Sequence, residues 1–362
     1  MFTCAECVKD AAKLPDQVPE ALEDAAHRVV WLLGMRVRES SQQTYASSLH
    51  RYVKFWKDVG GKSLSQILPA GADSIPKADV HLFLGWAMSR YKYNTILSTI
   101  TALINWHKDK EVAYDALTCT STKQLLNTIK AEQGPQGMPV GKTGMSKEIL
   151  RLVLSHLHAR GQNEPLMHAL FMCDATWLVL GFYGMLRRSE ITALQMRDIT
   201  VGQMSGNTRF VEITIRKSKN DRRGDGAVVT IAGTTQDGTR VADRVEQWLD
   251  LRRRAGASPS DPLFTTWDLN TYSLSSSKIQ TPEALNKRLK MYLTDLKQRY
   301  PDIPVNPATY GMHSLRRGGV MAAWKAGVDV EKIKAHGRWK SDAIRAYMQT
   351  TRDMRLAVTQ RM

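Results

Sequence analysis

Apolar residues recur at helical spacing along nearly the whole chain, and in only one region does the period change to two. That region is Phe210-Val211-Glu212-Ile213-Thr214-Ile215, and Val228-Val229-Thr230-Ile231 returns after a basic turn running from Arg216 to Gly226. The pattern predicts a mainly helical protein with one small antiparallel sheet of two strands, with room for a third.

A Gly/Pro-rich stretch divides the helical part. Residues 131–144 contain four Gly and two Pro, have no period, and read as a linker between two domains. The chain of 362 residues is long enough for two cores. The expected boundaries are an N-terminal tail over 1–19, a helical domain over 20–130 and a second domain over 145–362.

In the first domain a helix is expected over 20–39. Ser40-Ser41-Gln42-Gln43-Thr44 then opens another, with Tyr45, Leu49, Tyr52, Val53 and Trp56 on one face. Further helices are expected over Ala78–Arg90 and Asn94–Lys108, with a short one over 122–130. Tyr45, Trp56, Trp86 and Trp106 read as core packing. Gln43, Thr44 and Ser47 begin one helix, and Lys92, Asn94 and Ser98 begin another. Short polar groups at helix starts suit phosphate contacts, although taken singly each reads as a solvated face.

In the second domain helices are expected over Ser146–Arg160, Glu164–Tyr183, 241–254, 282–298, 313–326 and 329–335, with a last one carrying Tyr347. Leu194 and Ile199 extend the apolar face that follows Met185. Glu164–Tyr183 is apolar enough to suggest a membrane span, but His168, Asp174 and Thr176 argue for a core helix. Charges throughout residues 1–20 argue against a signal peptide, so an intracellular protein without a membrane partner is expected.

The formal net charge of +16 points to a polyanionic partner. Cys4 and Cys7 form a lone CxxC with no second pair, and Cys119 and Cys173 read as ordinary small residues. The chain has no GxxxxGK[ST] loop and no carboxylate cluster at metal-ligand spacing.

Five separated pieces carry the remaining signal. Leu186-Arg187-Arg188-Ser189-Glu190 begins a helix, and Lys219 follows Arg187 by 32 residues in the hairpin. His313-Ser314-Leu315-Arg316-Arg317-Gly318-Gly319 puts His313 and Arg316 on one helical face. Gly337-Arg338-Trp339 comes next, and Tyr347 lies eight residues beyond Trp339. In this order and spacing the pieces resemble the tyrosine recombinase (phage integrase) family, with wording closest to recombinases of mobile elements, including DIRS and Crypton transposons and some viruses. The resemblance covers most of the chain.

The resemblance implies a two-domain, C-shaped clamp in which a helical core-binding domain joins an α+β catalytic domain. It implies cutting and rejoining of double-stranded DNA through a 3′-phosphotyrosyl intermediate, without metal, ATP or other cofactor, by four protomers on paired sites. Tyr347 would be the nucleophile. Arg187 and Arg316 would hold the non-bridging phosphate oxygens, because a guanidinium presents paired donors. Lys219 would protonate the leaving 5′-oxygen, and is favoured over Lys217 because Ser218-Lys219-Asn220 fits the family's turn. His313 would assist proton transfer, and Trp339 would donate its indole N–H where other members carry histidine, leaving His336 without a catalytic role. Glu190 would support Arg187. Arg188 and Arg317 would lie beside the phosphate or in solvent, and Gln43, Thr44, Ser47, Lys92, Asn94, Ser98, Arg222 and Arg317 are the expected DNA contacts. The eight-residue step from Trp339 to Tyr347 is one shorter than in several well-known members. Type IB topoisomerase-like relaxation and a non-catalytic DNA-binding module are the alternative functions.

Overall fold

The computed structural model describes residues 39–68, 74–137, 143–218, 225–268 and 270–348. The expected helix over 20–39 falls outside them except for its last residue, and Cys4, Cys7, Lys219, Arg222 and the tail beyond Met348 also lie outside the described residues. The chain clusters into two compact units, Met1–Val140 and Gly141–Met362.

Among its described residues the first unit is helical. It contains α1 (Glu39–Asp58), α2 (Leu64–Ile67), α3 (Lys77–Met88), α4 (Tyr93–Asp109), α5 (Asp115–Thr118) and α6 (Thr120–Gly137). The apolar stripe of α1 buries Leu49, Tyr52 and Trp56 against Phe83 and Leu84 of α3 and Ile96, Ile100 and Leu103 of α4. Tyr52 and Phe83 meet edge to face with ring centroids 5.1 Å apart, a favoured aromatic arrangement. Trp56 is buried, while Tyr45, Trp86 and Trp106 cover the rim of the same core. Helix α6 runs on to Gly137, so the first part of the stretch read as a linker is helical, with a left-handed Gly134 interrupting it.

The second unit is built around α8 (His168–Tyr183), which follows α7 (Lys147–Asn163) and a short 3-10 turn. Helix α8 is buried along most of its length. The segment Pro165–Tyr183 is long and apolar enough to cross a membrane, yet it serves as the core helix of this unit. Around it lie α9 (Arg188–Ala193), β1 (Ile199–Gln203), β2 (Arg209–Ile215), β3 (Ala227–Ala232), α10 (Val241–Arg254), β4 (Thr265–Asp268), β5 (Ser273–Ile279), α11 (Pro282–Arg299), α12 (Met312–Lys325) and α13 (Val330–Gly337).

The sheets correct the sequence reading in two places. Ile199 does not extend a helical face. It opens β1, which pairs antiparallel with β2 in register Ile199↔Ile213, so the sheet order is β1-β2-β3. A second antiparallel pair, β4-β5, was not expected at all. The hairpin itself folds as its alternation requires, with Val211, Ile213 and Ile215 pointing into the core.

One buried carboxylate ties α8 to α11. Asp174 is 0% exposed and accepts hydrogen bonds from Trp177 Nε1 (2.8 Å), Arg288 Nε (2.6 Å), Arg288 Nη2 (2.7 Å) and the Tyr292 hydroxyl. Removing one partner of such a pair strands the other charge, at a cost of about 3–5 kcal/mol. Asp174→Ala is therefore expected to lower the melting temperature by roughly 6–20 °C. Calorimetry would check this, and a fall smaller than about 3 °C would show that Arg288 finds another partner.

Candidate active site

The site forms where α8 ends. The chain leaves Tyr183, passes through Met185 in the left-handed region (φ 46°) and reaches Arg187, which caps α9. Glu190, in the first turn of α9, accepts from the Arg187 backbone N–H (2.8 Å) and from its Nη1 (2.6 Å). Ser218, at the base of the hairpin, accepts from Arg187 Nη1 (2.9 Å) and donates to Glu190 Oε1 (3.2 Å).

Helix α12 delivers the second cluster. Gly318 and Gly319 let it approach closely: a Cβ at either position would lie 2.0 Å from the Met145 carbonyl oxygen or 2.2 Å from that of Phe182. One turn earlier, Arg316 is only 2% exposed. Its Nη1 donates to the Met185 carbonyl, its Nη2 donates to the Gly337 carbonyl (2.7 Å), and its guanidinium carbon lies 3.7 Å from the centre of the Trp339 ring. Burial, reinforced by Arg187 and Arg338, pushes its pKa down to about 9.

His313 stands one turn before Arg316 at the exposed start of α12, and its Nε2 shares a hydrogen bond with the Tyr347 hydroxyl (3.1 Å). Loss of water around the ring, then the charges of Arg316, Arg317, Arg187 and Arg188, hold the imidazole below its usual pKa and favour its neutral form. Tyr347 also packs against Trp339, with ring centroids 5.8 Å apart. It ends a 3-10 turn, Asp342–Tyr347, in place of the expected α-helix. This turn rests on a small cluster of Met185, Val320, Ile333 and Ile344, separate from the main core. Gly337 makes room for the indole, since a Cβ there would come within 1.6 Å of the Trp339 ring.

The structure thus brings together Arg187, Glu190, His313, Arg316, Trp339 and Tyr347. Lys217 is exposed at the described edge of the hairpin. Arg188 is exposed on α9, and Arg317 is partly exposed on α12. His336 Nε2–H donates to the Tyr183 carbonyl (2.7 Å), a structural bond. In the first unit Gln43, Thr44 and Ser47 lie exposed on α1, and Lys92 and Asn94 are exposed at the start of α4 beside the half-buried Ser98. Arg51 Nη1 on α1 donates to Thr99 Oγ1 on α4 (2.8 Å), joining the two helices.

Sequence reasoning assigned nothing to Arg338. Its backbone is left-handed (φ 61°) at the end of α13, and its Nη2 meets Glu190 Oε2 at 2.8 Å. Its position inside Gly337-Arg338-Trp339 was the available signal, but the turn that swings its side chain inward belongs to tertiary structure.

Comparison with known proteins follows the same lines. No protein-family model matches the chain. An integrase/recombinase xerD homolog of Selenomonas ruminantium is 25% identical over 196 residues, which is 51% of this chain and about half (52%) of that relative. Among solved structures, XerH site-specific recombinase bound to palindromic difH substrate is 12% identical with a TM-score of 0.58, covering 98% of this chain and 93% of that one. The Tn1549 transposon integrase in complex with transposon right end DNA is 14% identical with a TM-score of 0.58 and 98% coverage of both chains. A lambda integrase dimer bound to a COC′ core site is 10% identical with a TM-score of 0.55, covering 92% of this chain and 96% of that one.

Proposed function

We propose that this chain, which has the tyrosine recombinase fold, is a site-specific DNA recombinase that cuts and rejoins strands through a 3′-phosphotyrosyl intermediate. The observation that carries the reading is the Tyr347 hydroxyl lying 3.1 Å from His313 Nε2, with the Arg316 guanidinium over the neighbouring Trp339 ring.

In the forward step Tyr347 Oη bonds to the scissile phosphorus while the bond from phosphorus to the 5′-oxygen breaks. The phenolic proton passes to His313 or solvent, and the 5′-oxygen takes a proton from a hairpin lysine, with Lys219 as the assigned donor. Arg187 and Arg316 carry the non-bridging oxygens, and the Trp339 indole N–H is a further donor to the charge that builds up in the transition state. The phosphotyrosyl bond conserves the phosphodiester, so attack by a 5′-hydroxyl reverses the step without ATP. Gln43, Thr44, Ser47, Lys92, Asn94 and Ser98, with Arg222 and Arg317, are the proposed DNA contacts. The proposed assembly is a homotetramer on paired sites, working inside the cell in the manner of a mobile-element recombinase.

The test begins by sequencing DNA fragments that copurify with the protein and building nicked duplexes from them. A nick beside the cleavage site lets the 5′ fragment diffuse away and traps the covalent complex. The expected result is an adduct that maps to the peptide containing Tyr347, with binding that weakens steeply as salt rises because phosphate contacts release counterions. Paired sites should then recombine. Relaxation of a site-free supercoiled plasmid without recombination would instead indicate topoisomerase-like activity, and binding with no adduct on any fragment would leave only a DNA-binding module.

A further inference from the structure

We propose that Arg338 is a positioning residue that locks the two phosphate-binding arginines to one another. The inference rests on the recombinase reading above. Arg338 shares one acceptor with each of them. Its Nη2 pairs with Glu190 Oε2 at 2.8 Å while Arg187 Nη1 pairs with Glu190 Oε1 at 2.6 Å, so Glu190 is clamped from both sides. The same Nη2 reaches the Met185 carbonyl at 3.4 Å, the oxygen that also receives Arg316 Nη1. A third contact, from Nη1 to the His336 carbonyl at 3.1 Å, ties the guanidinium back to the end of its own helix. Through Glu190 and the Met185 carbonyl, Arg338 therefore fixes the relative placement of Arg187 and Arg316.

Local conformation argues for the same role. Arg338 ends α13 in the left-handed region, where glycine or asparagine is the usual residue because a Cβ is strained there. An arginine held against its own backbone preference marks a site where tertiary contacts decide the residue. Its side chain is only 10% exposed, and that of Glu190 1%, so the pair is shielded from water. Two guanidinium groups converging on one phosphate would repel each other, and Glu190, held between Arg187 and Arg338, offsets that repulsion.

The groups facing Glu190 are Arg187, Arg338 and the Ser218 hydroxyl, with Arg316 close enough to feel its charge. Burial alone would raise the Glu190 carboxyl. Arg338, then Arg187, pull it below the ordinary range. Without Arg338 burial is less opposed, the carboxyl takes up a proton at a higher pH, and its hold on Arg187 is lost there. The charges acting on His313 are Arg316, Arg317, Arg187 and Arg188, so its titration is not the one that should move.

The test compares wild type with Arg338→Gly, Arg338→Gln and Arg338→Lys on a nicked duplex the wild type cleaves, reading cleavage rate, DNA Kd, melting temperature and the pH profile. Arg338→Gly loses the buried pair with Glu190 but relieves the backbone strain, so its melting temperature should fall less than that of Arg338→Gln, which loses the pair and keeps the strain. The cleavage rate of the Gly variant should fall about 10- to 100-fold, the scale for losing a group that orients a ligand, with Kd within about threefold. The acid limb of its rate profile should move to higher pH. Arg338→Gln should share that shift, and Arg338→Lys, which keeps the charge, should restore the limb but not the full rate. Wild-type rates in the Gly variant, or a rate loss with an unmoved acid limb, would overturn the positioning role. Absence of any adduct from wild type would sink the recombinase reading instead, so the two failures are distinguishable.

Discussion

Tyr347→Phe should form no covalent adduct with any duplex that the wild type cleaves, while binding that duplex with a Kd within about threefold. The substitution removes one oxygen and keeps the ring, which retains its packing against Trp339 and His313. The lost hydrogen bond to His313 is exposed and is worth about 1 kcal/mol, too little to unfold the unit. What disappears is the atom that would form the bond to phosphorus. Other tyrosines of the second unit are poorly placed to substitute. Tyr310 and Tyr292 are buried, and the Tyr183 hydroxyl donates to Asp237 (3.0 Å). Tyr272 and Tyr300 are exposed, but they sit between β4 and β5 and at the end of α11, elements that carry none of the proposed active-site residues. An adduct that persisted in the Phe variant would move the nucleophile elsewhere and dismantle the assignment.

Arg316→Met is expected to slow cleavage about 1,000-fold, the scale for losing a preorganised donor to a developing anion, while shifting the melting temperature by no more than about 3 °C. These two readouts separate because Arg316 is a charge the fold holds at a cost. It is buried, has no carboxylate within bonding distance among the described residues, and has its pKa pushed down to about 9, so below that pH folding works against the charge. Methionine removes that burden and fills the space over Trp339, which offsets the loss of the bonds to the Met185 and Gly337 carbonyls. Lysine should not rescue the rate. A compact ammonium cannot serve both carbonyls and also sit 3.7 Å from the indole centre, as the planar guanidinium does. A Lys variant of near wild-type rate would show that charge alone suffices at this position.

The residues that were legible in the sequence share a physical trait: their signal is local. The stripe from Tyr45 to Trp56, the His313–Arg316 pair and the Phe210–Ile215 alternation each express the geometry of a single element, so spacing reveals them. Strand β1 was hidden because Ile199–Gln203 is short and half exposed, and Leu194 before it continued a helical pattern. Strand β5 was hidden because Ser273-Leu274-Ser275-Ser276-Ser277-Lys278-Ile279 carries little β-branched or aromatic content, leaving the pairing to tertiary context. Arg338 was hidden for a third reason. Its role depends on a left-handed backbone and on a carboxylate 148 residues earlier in the chain, neither of which a spacing rule can express. The 3-10 turn that ends at Tyr347 likewise reflects how Ile344 packs against Met185, Val320 and Ile333 rather than local helical propensity.

That packing has a thermodynamic consequence. The proposed nucleophile is seated on four buried side chains, Met185, Val320, Ile333 and Ile344, while the rest of the unit is organised around α8. Small clusters open by local fluctuation at lower free energy than whole domains. On the proposed assignment, the fraction of molecules competent for chemistry is then set by the opening equilibrium of this patch. A neighbouring molecule that covered it would raise the proposed activity simply by keeping the tyrosine docked, with no change in the arginines proposed to receive the phosphate.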